Sequence, residues 1–122
     1  MANILVIDDD EAIRDLLEMI LTIDKHDVTL AEDGEQGMKL YSKNTYDLII
    51  TDIIMPNKDG IDLIADMVNT DNPTPIIAMS GGRRKITSDF NLQSAASMGV
   101  KETLKKPFTE LDLRRAIKRI LG

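Results

Sequence analysis

Five short strand-like runs punctuate the chain: NILVI at 3–7, VTLA at 28–31, DLIIT at 47–51, PIIAM at 75–79 and ETLK at 102–105. Each has the length of a strand. Three are apolar at successive positions, the pattern of strands covered by helices on both faces of a parallel sheet. Between the runs the period changes. Ile13, Leu16, Leu17, Ile20 and Leu21 recur at i, i+3, i+4, i+7 and i+8, which predicts a helix over about 11–23 with Asp10 as its N-cap. After Thr109, a second N-cap candidate, Leu113, Ala116, Ile117, Ile120 and Leu121 repeat that spacing. Shorter helical stretches are predicted over 34–43, over 60–69 with Ile61, Ile64, Ala65 and Val68 on one side, and over 87–98 before Gly99.

Five strands alternating with five helices predict an α/β chain, a single (βα)5 domain over 1–122. Right-handed crossovers make it a doubly wound five-stranded parallel sheet. A length of 122 residues suits one compact core, and with 3% aromatics and no tryptophan that core must be aliphatic. The absence of cysteine removes disulfides, thiol catalysis and zinc ribbons. No apolar run approaches the roughly 18 residues of a membrane span, and the first residues lack the pattern of a secretory signal, so a cytoplasmic protein is expected.

The net charge of −6 argues against general nucleic-acid binding. It is unevenly spread: residues 1–72 hold 17 acidic and 5 basic side chains, residues 101–122 hold 3 and 7. The basic C-terminal end is a candidate face for an acidic partner, unless its lysines and arginines simply complement a helix dipole.

In an open parallel sheet, ligands bind beyond the carboxyl ends of the strands. The polar residues that follow the apolar runs are therefore candidates: Asp8 and Asp9 after the first, Asp52 after the third, Ser80 after the fourth and Lys106 after the fifth. Two carboxylates about 4 Å apart repel by about 4 kcal/mol at an effective dielectric of about 20, so Asp8, Asp9 and Asp52 together require protonation or a cation. With no cysteine, and one histidine, His26, read as a surface loop residue, the donors are oxygens suited to Mg²⁺ (or Mn²⁺). An ammonium and a hydroxyl beside such a cation can grip a phosphoryl group. Neither GxxxxGK[ST] nor GxGxxG is present, so the phosphoryl donor is not expected to be a nucleotide bound by this chain.

The segments VIDDDE, YDLIITDIIMPNKDG, IIAMSGG and LKKPF, in this order, make nearly the whole chain similar to the receiver domain of two-component response regulators. The resemblance implies a flavodoxin-like sheet of order 2-1-3-4-5. It implies Asp52 as phosphoacceptor, taking a phosphoryl group from a histidine kinase or a histidine phosphotransfer protein. It implies Asp9 as the main metal ligand, Asp8 as an acid helping through a bound water, and the backbone carbonyl of Ile54 as a further ligand beside Asp52. Ser80 and Lys106 would bind the phosphoryl oxygens. Lys106 is preferred to Lys105 because it directly precedes Pro107, and the Lys106–Pro107 bond is expected to be cis, which X-Pro allows at about 0.5–1 kcal/mol. Pro56 and Gly60 would shape the loop after the acceptor.

Some positions depart from the family pattern. The place of an inward-swinging aromatic three residues before the lysine is held by Thr103, so a switch through Ser80 and Thr103 must use a smaller side chain or backbone motion. The stretch GGRRKITSDF after Ser80 is longer than usual and suggests a flexible basic loop over 81–85, either a guide for an acidic surface or a solvated lid. Ile54 and Gly82, two residues after Asp52 and Ser80, offer no side chain to position an attacking water, which predicts slow self-dephosphorylation.

With the chain stopping at Gly122, the expectation is a stand-alone, chemotaxis-regulator-like receiver without an output domain, not an enzyme beyond its own phosphorylation chemistry. It would signal through a changed face of the fourth and fifth strands and helices, as a monomer or as a weak homodimer through the fourth helix, fifth strand and fifth helix. Its downstream target is open, and neither nucleic acid nor membrane is expected as a partner. The alternatives are a phosphorelay intermediate and, least favoured because Ile54 lacks an acid, a Mg²⁺-dependent phosphatase with an aspartate nucleophile.

Overall fold

The structure is a computed structural model and describes residues 2–52, 66, 74–80 and 100–122. Its strands are β1 (Asn3–Ile7), β2 (Asp27–Ala31), β3 (Leu48–Asp52), β4 (Ile76–Ser80) and β5 (Glu102–Lys105). The helices are α1 (Glu11–Ile23), α2 (Gly34–Lys43) and a C-terminal helix (Glu110–Leu121). Asp66, within the predicted helix 60–69, is helical and exposed. The rest of that helix, the helix over 87–98 and the basic loop over 81–85 lie outside the described residues.

All strand pairs are parallel, in the order β2-β1-β3-β4-β5. Strand alternation sorts the core into two layers. Ile4 and Val6, Leu48 and Ile50, and Ile77 and Met79 face α1 and the C-terminal helix, which contribute Leu17, Ile20, Leu21, Leu113, Ala116 and Ile117. Leu5 and Ile7, Ile49, and Ile76 and Ala78 form the opposite layer, against which Met38, Leu40 and Tyr41 of α2 pack. This is the doubly wound, flavodoxin-like arrangement.

Local chemistry sets the helix starts. Asp10 Oδ1 accepts from Ala12 N (2.9 Å) and Asp33 Oδ1 from Gln36 N (2.8 Å). Thr109 and Asp112 form a reciprocal capping box at 3.1 and 3.0 Å. Gly37 lets α2 approach β1: a Cβ there would lie 2.6 Å from Ile7 Cδ1.

Two strands end one residue later than their apolar runs. Asp52 still pairs with Met79, and Ser80 with Lys105. Asp47 stands just outside β3, its carboxylate accepting the Asn3 N–H at 2.8 Å. Asp52 is therefore held within the ladder and not in a loop. His26 occupies the α1–β2 connection half-buried, Nδ1 accepting the Ala2 N–H at 3.0 Å, so it is more than the surface residue expected.

Candidate functional site

The carboxyl ends of β1, β3 and β5 bring Asp8, Asp52 and Lys106 together. Asp8 directly follows β1 and is fully buried. Every polar atom it carries is satisfied: N donates to Ala31 O (3.1 Å), O accepts from Arg14 Nη1 (2.6 Å), Oδ1 from Asp10 N (2.9 Å) and Oδ2 from Lys106 Nζ (2.7 Å). The same ammonium lies 3.0 Å from Asp52 Oδ2. Lys106 follows β5, and its peptide bond to Pro107 is cis.

Burial pushes the Asp8 carboxyl up to about 6, against the hydrogen bonds from Lys106 and the Asp10 amide; the nearby Asp52 charge adds to the rise. Burial alone would lower Lys106, but the charge on Asp52 and the hydrogen bond to Asp8 outweigh it and raise it above the usual lysine range. The ammonium thus belongs to the acidic cluster electrostatically as well as geometrically.

One carboxylate oxygen from each of Asp8, Asp9 and Asp52 lies within 4.8 Å of the others. Asp9 is exposed, the other two buried. These anionic oxygens fit a hard divalent cation, and three carboxylates set against the single Lys106 ammonium leave the group net negative.

The remaining site expectations fall less centrally. Ser80 ends β4, but its side chain lies outside the described residues, as do Ile54, Pro56, Gly60 and Gly82. Thr103 is exposed on β5, in register with Ala78. Arg14 was not anticipated as a site residue. Its signal was present: it is the sole basic residue of α1 and falls beside Leu17 and Leu21 on the half that faces the sheet.

Among the described residues no helix is long and apolar enough to cross a membrane. The chain is 32% identical over 121 residues to the transcriptional regulatory protein CpxR of Klebsiella pneumoniae, covering 99% of this chain and 50% of that protein. It therefore spans about half the length of that regulator. Against a probable chemotaxis protein CheY of Rhizobium etli it is 35% identical over 124 residues, covering 98% of this chain and 92% of the other. A receiver domain protein from Clostridium thermocellum superposes with a TM-score of 0.89 at 30% identity, over 99% of this chain and 94% of that one. For CheY4 of Vibrio cholerae the TM-score is 0.86 at 27% identity, over 98% of both chains. Residues 4–118 match the family model of the response regulator receiver domain, and with these identities the chain belongs to that family.

Proposed function

We propose that Asp52 accepts a phosphoryl group from a phosphohistidine of a sensor kinase or histidine phosphotransfer protein. The reading is carried by one observation: the Lys106 ammonium contacts both Asp8 and Asp52, within a group of three carboxylates. An Asp52 carboxylate oxygen attacks phosphorus, the O–P bond forms, the P–N bond breaks, and the imidazole leaves. Asp8, Asp9, Asp52 and the carbonyl of Ile54 would hold Mg²⁺ (or Mn²⁺), which when bound supplies positive charge against the phosphoryl oxygens.

Phosphorylation of Asp52 places roughly −1.5 to −2 charges beside Lys106. The ammonium turns from the Asp8 and Asp52 carboxylates to the phosphoryl oxygens, and the Ser80 hydroxyl joins it. Because Ser80 ends β4 and Lys106 follows β5, the rearrangement pulls on both strands at once. Thr103, in register with Ala78, is the side chain on β5 through which it reaches the surface. The protein acts in the cytoplasm as a phosphorylation switch, and its own phosphoryl chemistry is its only reaction.

The test is incubation with acetyl phosphate and Mg²⁺, followed by intact mass. Wild type gains one phosphoryl group and Asp52→Asn gains none; equal labelling of both removes Asp52 from the role.

A further inference from the structure

Arg14 stands half-buried in the first turns of α1, and its guanidinium Nη1 donates to the Asp8 carbonyl at 2.6 Å. Glu11, Asp15 and Glu18 surround it on the helix, Glu18 at the i+4 spacing from which helical ion pairs ordinarily form. Among the described residues it pairs with none of the three. The one cation of α1 is thus committed to a neutral peptide oxygen, although carboxylates lie within reach along the helix.

The rest of Asp8 is fixed without it. The Asp8 amide donates to Ala31 O, and its two carboxylate oxygens accept from Asp10 N and Lys106 Nζ. What the Arg14 bond adds is therefore control of the peptide that leads on to Asp9. That peptide is planar, so an anchored Asp8 oxygen also sets the direction of the Asp9 N–H and the place of the Asp9 Cα. Asp9 has nothing else to hold it: its side chain is exposed and, among the described residues, makes no hydrogen bond or ion pair. Yet one of its carboxylate oxygens lies within 4.8 Å of those of Asp8 and Asp52. Like charges repel, so an untethered Asp9 would turn away into solvent. Its inward direction comes from the backbone.

We propose that Arg14 is a positioning residue for the divalent-cation site: by holding the Asp8 carbonyl it fixes the Asp8–Asp9 peptide and keeps the Asp9 carboxylate turned toward Asp8 and Asp52. It acts through Asp9 and is not itself a ligand. The proposal rests on the reading that these three carboxylates hold Mg²⁺. It also makes a prediction opposite in sign to that of charge alone. A guanidinium near a cation site repels the cation, so if Arg14 acted only through its charge, removing it would tighten Mg²⁺ binding. Loss of an anchored ligand direction weakens it instead.

Calorimetric titration of the full chain with Mg²⁺ tests it, with circular dichroism confirming that each variant is folded. Arg14→Met and Arg14→Leu each keep an apolar stem and remove the donor and the charge together. Both are expected to bind Mg²⁺ about tenfold more weakly than wild type, the ordinary loss when the partner that orients a metal ligand is removed. In an Asp9→Asn background the same substitutions should weaken binding by less than about twofold, because the side chain that Arg14 directs is no longer an anionic ligand. A purely structural role would move neither quantity in folded protein. Affinity that is unchanged or tighter in the Arg14 variants, beside normal binding by wild type, overturns the proposal and leaves the cation reading standing. An equally large loss in the Asp9→Asn background overturns it too, since Arg14 would then act elsewhere than on Asp9. Wild type that takes up no Mg²⁺ removes the proposal together with the cation reading.

Discussion

Lys106 Nζ lies 2.7 Å from Asp8 Oδ2 although 98 residues separate the two in sequence. A second carboxylate, Asp52, shares the same ammonium at 3.0 Å. One cation therefore serves two buried acids, and the third acid, Asp9, stands at the solvent side of the group. This arrangement tolerates the acidic cluster while leaving it short of positive charge.

The Asp8 carboxyl rises from 3.8 to about 6, mainly through burial. The folded protein then binds this proton more tightly than the unfolded chain between about pH 4 and pH 6, so the Asp8 contribution to stability falls as pH rises through that window. The loss is on the order of 3 kcal/mol. Urea unfolding in chelator should show Asp8→Asn gaining on wild type from pH 4 to pH 6.5; a difference that stays constant contradicts the account. Lys106→Met should cost about 3 kcal/mol near pH 7.5, because it strands two carboxylates. That cost should shrink below pH 6, where Asp8 takes up a proton. In wild type the Lys106 contribution is full below the ordinary lysine pKa of 10.5 and is lost as pH rises through its raised folded value.

Asp9→Asn removes the exposed member of the acidic group without emptying a buried hydrogen bond. Without divalent cation it should raise stability slightly, by about 0.5 kcal/mol, since one repulsive neighbour of Asp8 and Asp52 is gone. Calorimetric titration with Mg²⁺ should show at least tenfold weaker binding. A variant that binds Mg²⁺ like wild type excludes Asp9 as a ligand.

Gly37→Ala sets two effects against each other. Alanine gains about 1 kcal/mol of helix propensity, while its methyl collides with Ile7, an overpacking that costs about 1–3 kcal/mol. Ile7→Val removes Cδ1, the nearest atom at 2.6 Å, so alanine at 37 should be better tolerated in that background. A double-mutant cycle should give a favourable coupling of about 1 kcal/mol. Additive effects would mean that α2 can shift away from β1 without cost.

Self-dephosphorylation should be slow, because the residues two after Asp52 and two after Ser80 are Ile54 and Gly82. Neither can orient a water for attack on the acyl phosphate. Phosphorylated protein, freed of acetyl phosphate and kept in Mg²⁺, should retain its label for many minutes by intact mass. Loss within seconds refutes the expectation, and a faster loss in Ile54→Asn would identify that position as the control point.

Periodicity and cap chemistry by themselves determined the elements. NILVI and ETLK are β1 and β5, the stripe from Ile13 to Leu21 lies on α1 after its Asp10 cap, and Thr109 opens the C-terminal helix. These were legible because alternation, helical spacing and side-chain capping act within a few residues. The rule that polar residues after parallel strands converge also brought Asp8, Asp9, Asp52 and Lys106 onto one list. Tertiary structure alone decided how they share charge: the sequence asked for a cation to relieve the acids, and part of the answer is the Lys106 ammonium, reaching Asp8 and Asp52 from the far end of the chain. It also decided that Arg14 grips the Asp8 carbonyl, and that Asp52 stays in the β3 ladder. Distances of that kind depend on how β1, β3 and β5 and the helix α1 are packed against one another, and no local pattern encodes a packing distance.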